Sequence, residues 1–214
     1  MGVFDVNYDS PVMVEKFRDS NIYYIDNFYK KPDTIVKFLE KVPATVHHPE
    51  RDHRFPSLNG IHFDDRRHMI NISEIKEVTS YLSNICQSKV LKNPHLLITN
   101  KIRFYPTQFN DYKNNFWHPH TDSGYTALIY LNKNDNECGT NLYDEVIPDT
   151  LNNYGEHVVP WRPKSKWKIA KTLKPKFNRC VIFDGGLFPH GMHIPNDRYF
   201  GDEYRLNQVV FFKN

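Results

Sequence analysis

Long apolar runs, a disulfide framework and a marked charge imbalance are all missing from this 214-residue sequence. No apolar stretch approaches the roughly 20 residues that a membrane-spanning helix needs, and the N-terminus has neither the basic nor the apolar region of a secretory signal. The three cysteines, Cys86, Cys138 and Cys180, are an odd and widely spaced set without a CxxC pair, which is typical of reduced thiols. We therefore expect a soluble, cytoplasmic protein with no membrane partner.

Charge and composition define the class of protein only broadly. The 28 Lys and Arg against 25 Asp and Glu leave a formal net charge of +3, which argues neither for nor against an acidic partner. Aromatic residues make up 14% of the chain, a content that suits a β-rich domain with ring-lined pockets. The sequence contains no internal repeat, low-complexity tract or linker, so we predict one domain spanning 1–214.

Helical patterns are confined to the first part of the chain, 1–95, which we interpret as a helical support. Residues 21–29 predict a strand that leads into a helix, and Pro32 suits the first position of that helix. Residues 43–70 lack a clear period and predict loop with short strands. A second helix is expected after Asn71, because Asn71 and Glu74 form a capping-box pattern ahead of an apolar stripe.

From residue 96 onward the pattern changes to short β-branched and aromatic runs separated by Asn, Asp, Gly and Pro. Two helices followed by many short strands predict a mostly antiparallel β core over 96–214 with helices on one face. The predicted strands are Leu96–Tyr105, Thr126–Asn132, Asn141–Tyr143, Phe177–Phe183 and Arg205–Phe212.

Candidate metal ligands occur in two separate motifs. His120 and Asp122 stand at i and i+2, so on an extended backbone both side chains point to the same face. Taken alone, this pair also fits a surface turn. His190, in Phe-Pro-His-Gly, offers a second imidazole. Two His and one carboxylate on one face of an octahedron leave three open positions, the arrangement expected for an Fe(II) oxygenase. Arg205 heads an apolar strand and is suited to a two-pronged hydrogen bond with a dicarboxylate.

The order of these motifs resembles a known family. A strand ending in Tyr105-Pro106, a loop, His120-Thr121-Asp122, the strand at 126–132 and the Gly139-Thr140 turn resemble the prolyl-4-hydroxylase-like branch of the Fe(II)- and 2-oxoglutarate-dependent dioxygenases. The resemblance covers about residues 96–212. It implies a double-stranded β-helix, or jelly roll, with the N-terminal helices packed on its major sheet.

The resemblance also implies a reaction and its site residues. Fe(II), 2-oxoglutarate and O2 would be required, with ascorbate as a candidate reductant. 2-Oxoglutarate would become succinate and CO2 while an amino-acid or peptide side chain is hydroxylated. The implied residues are the metal ligands His120, Asp122 and His190, and the co-substrate residues Arg205, Tyr130 and Tyr105. For Tyr130 the alternative is an ordinary ring that fills the barrel, with its hydroxyl satisfied locally.

Two neighbours compete for these roles. His193 lies three residues after His190, and on a strand such residues face opposite ways, so we expect only one of them in the site. The family pattern favours His190, which follows a strand and a Gly-Gly turn. Arg198 lies at the usual distance from the histidine, but Arg205 opens a strand and is preferred. The pair His118 and His120 also forms a cupin-type HxH, but no Glu follows it.

Three alternatives concern function. A nucleic-acid base demethylase of the same superfamily would need a second arginine where Phe211 stands, and this counts against a nucleic-acid partner. A non-catalytic jelly-roll module that binds metal is the other rival. The seven cations of 162–176 suit a phosphate or acidic-peptide patch, but we prefer a solvated strand face. The segment 147–176 is a candidate rim for a small-molecule or peptide substrate.

Overall fold

The computed structural model describes residues 2–41, 45–47, 63–70, 74–87, 89–90, 97–104, 109–148 and 161–213. It is mostly β, with 42% strand and 16% helix, and every strand pair in these ranges is antiparallel. The prediction of a mostly antiparallel β protein is therefore confirmed. Within the same ranges no helix has the length and apolar character to cross a membrane.

The N-terminal region combines a hairpin, two helices and two strands. Its elements are β1 Val12–Phe17, β2 Ser20–Ile25, α1 Pro32–Lys41, β3 Thr45–His47, β4 Phe63–Ile70 and α2 Lys76–Cys86. Pro32 opens α1 as predicted. The predicted capping box is wrong, because α2 starts after Ile75, whose own side chain makes no capping bond. Ile75 is fully buried and its carbonyl accepts the backbone N–H of Thr79, so core packing sets this start. Asn71 lies outside the described residues.

The C-terminal region supplies most of the strands. Its elements are β5 Lys89–Val90, β6 Leu97–Phe104, α3 Phe109–Asn114, β7 Asn115–Trp117, β8 Tyr125–Tyr130, β9 Thr140–Glu145, β10 Trp161–Pro163, β11 Trp167–Leu173, β12 Arg179–Asp184, β13 His190–Met192 and β14 Arg205–Lys213. The five strands predicted here are present with slightly shifted ends. The helix α3 was not predicted, and β11 falls in the lysine-rich stretch for which a solvated strand face was preferred.

The strands form one large sheet, one small sheet and a two-stranded ribbon. The large sheet has the order β1-β2-β12-β8-β14-β6-β4-β3, and β5 pairs with the end of β14. The small sheet has the order β11-β9-β13, and the ribbon pairs β10 with β7.

Side chains alternate between the two faces of the central strands, so each face of the large sheet contributes to a different apolar core. Ala127 and Ile129 of β8 belong to a cluster that includes Ile35 and Leu39 of α1 and Val78 and Leu82 of α2, so both helices pack on one face of the large sheet. Leu128 and Tyr130 point the other way, into a second cluster with residues of the small sheet. This second face, between the sheets, is where the candidate site lies.

Candidate metal centre

Backbone pairing brings the two predicted motifs together. His120 and His190 form an isolated antiparallel bridge, with N–H to O distances of 3.0 Å from His120 and 2.8 Å from His190. His190 also opens β13, which pairs with Leu142 of β9. The backbone N–H of Asp122 donates to the carbonyl of Gly185 at 2.9 Å. Residues 70 positions apart are therefore held by main-chain bonds, which do not require a metal.

The side chains of His120, Asp122 and His190 converge. One ligand atom from each lies within 4.8 Å of the others. His190 Nε2 is 3.2 Å from Asp122 Oδ2, and His120 Nε2 is 3.9 Å from Asp122 Oδ1. His190 is buried, whereas the side chains of His120 and Asp122 keep 36% and 15% of their accessible surface. The cluster therefore opens to solvent on the His120 side.

Hydrogen bonds select the tautomer of both imidazoles. The Nδ1 atom of His120 lies 2.7 Å from the carbonyl oxygen of His118, and that of His190 lies 3.0 Å from the carbonyl oxygen of Phe188. A carbonyl oxygen accepts only, so both Nδ1 atoms donate. In the neutral ring the lone pair then resides on Nε2, and both Nε2 atoms face the carboxylate. This is the support that metal-binding histidines usually have.

The carboxyl group of Asp122 is ionised at neutral pH. Burial by itself raises its pKa, but the adjacent imidazoles of His190 and His120 and the hydroxyl of Thr126 lower it to about 2. Two imidazole Nε2 atoms and one carboxylate are the ligand types of a non-haem Fe(II) site. The residues thus fit the metal that the sequence resemblance implies.

Arg205 is a buried cation that forms no ion pair with a carboxylate among the described residues. It is 7% exposed, and it donates from Nε to the carbonyl of Cys138, from Nη2 to the carbonyl of Gly139 and from Nη1 to Asn207 Oδ1. These three bonds leave one N–H on each terminal nitrogen. Among the residues that the structure describes, no carboxylate pairs with this guanidinium. Since an unpaired buried charge is costly, Arg205 is suited to an anionic ligand.

Tyr130 lies beside Arg205. Its hydroxyl is 2.9 Å from Thr140 Oγ1, and the guanidinium carbon of Arg205 is 5.6 Å from its ring centroid. Burial raises the pKa of Tyr130, so its phenol is protonated at neutral pH. The hydroxyl is already paired with Thr140, as the alternative of a ring that fills the barrel requires, and it is the ring of Tyr130 that lies beside the guanidinium. Tyr105, the third predicted co-substrate residue, lies outside the described residues.

Strand parity puts Arg205 and the metal cluster in one interior. Thr126 and Tyr130 share a face of β8, and Thr126 bonds to Asp122. Asn207 lies opposite Tyr130 and Phe211 opposite Thr126, so Arg205 is at the Tyr130 end. The four steps from Thr126 to Tyr130 span about 13 Å of strand. The interior between the two ends is lined by apolar side chains: Leu128, Leu142, Phe183, Phe188 and Val209.

The competing residues lie elsewhere. His193 is not among the clustered ligand atoms, and its backbone N–H bonds to the carbonyl of Gly139. Arg198 is partly exposed and pairs with Glu203 at 2.5 Å. His118 stacks on His120 with 4.4 Å between ring centroids, but it contributes only its carbonyl to the cluster.

Two features of the site were not predicted. Thr126 donates its hydroxyl to Asp122 Oδ2, and the carbonyls of the 138–139 turn orient Arg205. Both depend on chain segments that meet only after folding, and no local sequence signal identifies them.

The lysine-rich stretch is partly neutralised by the N-terminal hairpin. Lys171 lies 2.6 Å from Glu15 of β1, and Lys176 lies 2.9 Å from Asp26. Lys164 sits over the rings of Tyr112 and Phe116. These contacts agree with the interpretation of a solvated strand face.

No protein-family model matches this chain, and no curated protein is significantly similar to it.

Proposed function

We propose that this protein is a non-haem Fe(II)- and 2-oxoglutarate-dependent dioxygenase, with His120, Asp122 and His190 as its metal ligands. One observation carries the proposal. Two histidines and one carboxylate form a cluster in which both Nε2 atoms are directed at the carboxylate. On the same side of the large sheet lies Arg205, a buried arginine that forms no ion pair with a carboxylate among the described residues. A metal site and a carboxylate site facing one apolar interior suit a dicarboxylate that also chelates metal.

The strand order supports a double-stranded β-helix. Along the chain, β6, β8, β12 and β14 lie in the large sheet, and β9, β11 and β13 lie in the small one. The segment at His120 bridges to β13 and adds an eighth position to these seven strands. The chain therefore crosses between two facing antiparallel sheets several times, as a jelly roll requires. The proposed ligands lie at one end of the small sheet, and the proposed carboxylate site lies on the large one.

Each residue has a distinct task in the proposed reaction. His120 and His190 donate Nε2 lone pairs, and Asp122 supplies negative charge that offsets the metal. When bound, Fe(II) with O2 and 2-oxoglutarate supplies an oxidation in which one oxygen atom enters the substrate and the other enters succinate as CO2 leaves. Arg205 binds the far carboxylate through its two remaining N–H groups. The apolar lining excludes water from the space between them.

For the substrate we propose an amino-acid or peptide side chain. This rests on the resemblance to the prolyl-4-hydroxylase-like branch and on Phe211, which stands where base demethylases have a second arginine. Phe211 also lies opposite Thr126 in the large sheet.

A succinate-release assay tests the activity. Purified protein with Fe(II), ascorbate and 2-oxoglutarate should release succinate slowly alone and faster with free amino acids or proline-containing peptides. Asp122→Ala should abolish release. Stimulation by methylated oligonucleotides alone would support the demethylase instead. Fe(II) binding without succinate release at any iron concentration would favour the non-catalytic metal-binding module. Absence of both succinate release and Fe(II) binding would contradict the proposal.

A further inference from the structure

The turn that precedes His190 encloses one oxygen of Asp122. The backbone N–H of Asp122 donates to the Gly185 carbonyl at 2.9 Å, and Gly186 N–H donates to the Gly124 carbonyl at 3.0 Å. A Cβ atom on Gly185 would lie 2.5 Å from Thr126 Oγ1 and 3.1 Å from Asp122 Oδ2. Only glycine leaves room at 185 for the hydroxyl and the carboxylate to meet.

Thr126 supplies a directed donor to that oxygen. Its hydroxyl donates to Asp122 Oδ2, and the residue is buried at the start of β8. A β-branched side chain on a strand has few χ1 choices, so the strand itself fixes where the hydroxyl points. Asp122 is thus held twice, at its backbone by Gly185 and at its carboxylate by Thr126.

The two carboxylate oxygens consequently have different surroundings. Oδ2 accepts the Thr126 hydroxyl and is 3.2 Å from His190 Nε2. Oδ1 faces His120 Nε2 at 3.9 Å, and none of the described residues donates a hydrogen bond to Oδ1. A carboxylate anchored through one oxygen has the other available as a ligand.

We propose that Thr126 is a positioning residue for the metal site, which holds Oδ2 so that Asp122 presents Oδ1 as a single ligand oxygen. This rests on the proposed function, because it requires a metal at the cluster. One-oxygen coordination leaves three positions of an octahedron open, whereas two-oxygen coordination leaves only two. Gly185 serves the same end by leaving space for the hydroxyl.

Metal titration tests this without relying on turnover. Metal-free protein is titrated with Mn(II) and free Mn(II) is measured by electron paramagnetic resonance, with thermal unfolding recorded for each variant. Thr126→Val keeps the shape and removes the hydroxyl, and Thr126→Ser keeps the hydroxyl. Thr172→Val is the matched control, because Thr172 is another strand threonine that donates to a side chain, Asn141 Oδ1, at 2.8 Å.

Loss of a supporting hydrogen bond to a ligand typically weakens metal binding roughly 10- to 100-fold. We expect that loss for Thr126→Val, an affinity within about threefold of wild type for Thr126→Ser, and no change for Thr172→Val. Gly185→Ala should weaken Mn(II) binding as Thr126→Val does, although Thr126 keeps its hydroxyl in that variant. Co(II) absorption should also change in Thr126→Val, since the carboxylate is free to bind through both oxygens.

The outcomes separate the two proposals. If wild type binds Mn(II) and a folded Thr126→Val binds it equally well, Thr126 has no positioning role and the metal site stands. Equal losses in Thr126→Val and Thr126→Ser would also overturn the role, because the hydroxyl is then not what matters. If Thr126→Val does not fold, Gly185→Ala and Thr126→Ser decide the matter. A wild-type protein that binds no Mn(II) overturns both proposals.

Discussion

Removing the guanidinium of Arg205 should weaken 2-oxoglutarate binding far more than it weakens metal binding. Arg205 is buried, has two N–H groups left after bonding to Cys138, Gly139 and Asn207, and has no acidic partner in the described part of the chain. Truncating one partner of a buried, hydrogen-bonded charge pair costs about 2–5 kcal/mol. At about 1.4 kcal/mol per factor of ten, Arg205→Ala should raise the Kd roughly 30- to 4,000-fold. Arg205→Lys should recover only part of this, since an ammonium cannot reproduce the fork.

The assay is calorimetric titration of 2-oxoglutarate into Mn(II)-loaded protein, with 2-oxobutyrate as the matched ligand that lacks the far carboxylate. Wild type should bind 2-oxoglutarate much more tightly than 2-oxobutyrate, and Arg205→Ala should bind the two about equally. The reason is that losing the guanidinium and losing the far carboxylate remove the same ion pair. Thermal unfolding is recorded in parallel, since the substitution also takes the Arg205 donor away from the Cys138 carbonyl, at about 1–3 kcal/mol, whereas the Gly139 carbonyl keeps the N–H of His193.

Arg198→Gln is the control, because Arg198 pairs with Glu203 at the surface. The reasoning is refuted if a folded Arg205→Ala binds 2-oxoglutarate as wild type does. A larger loss of affinity in Arg198→Gln would likewise assign the carboxylate site to Arg198.

Three further predictions follow from the same geometry. His190→Ala should abolish Mn(II) binding while His193→Ala preserves it, as measured by equilibrium titration; the reverse result would exchange their roles. Burial raises the pKa of Asp135, but its bonds from Tyr199 and two backbone N–H groups lower the pKa below the ordinary value. Its contribution, about 1.5–3 kcal/mol for a charged hydrogen bond, should therefore be complete above the unfolded-state pKa of about 3.9 and be lost as pH falls through the folded-state value. Urea unfolding of Asp135→Asn should show a deficit near neutral pH that shrinks below about pH 4; a deficit independent of pH would contradict this. Gly191→Ala should destabilise the fold and weaken metal binding, because a Cβ there would collide with a carbonyl oxygen at the end of β7; unchanged unfolding would show that the two segments separate freely.

The sequence was sufficient to predict the local elements that carry the site. A strand alternates its side chains regardless of the rest of the fold, so the common face of His120 and Asp122 follows from their spacing. The β-branched runs predicted β6, β8, β12 and β14, and the helical stripe predicted α1. These patterns are local consequences of strand and helix periodicity. The start of α2 departed from them, since the helix begins after the buried Ile75 and not after Asn71.

Tertiary structure separates the neighbouring candidates in space. His190 and His193 differ by three residues, and only the pairing of His190 with His120 directs one imidazole toward Asp122. Arg198 and Arg205 are equally basic, but Arg198 pairs with Glu203 and Arg205 pairs with no carboxylate in the part of the chain that the structure describes. Sequence spacing favoured one of these arginines and strand position the other, so spacing alone could not decide.

What the sequence determined by itself was therefore a mostly antiparallel β chain with two helices at its start and metal-ligand residue types in a suggestive order. Tertiary structure decided which segments meet, how a hydroxyl and two carbonyls orient Asp122 and Arg205, and that the His120, Asp122 and His190 cluster lies on the same side of the large sheet as Arg205. The physical reason is that the two effects act over different separations along the chain. Side-chain alternation acts between adjacent residues, whereas the convergence of His120 with His190 depends on main-chain hydrogen bonds between strands 70 residues apart.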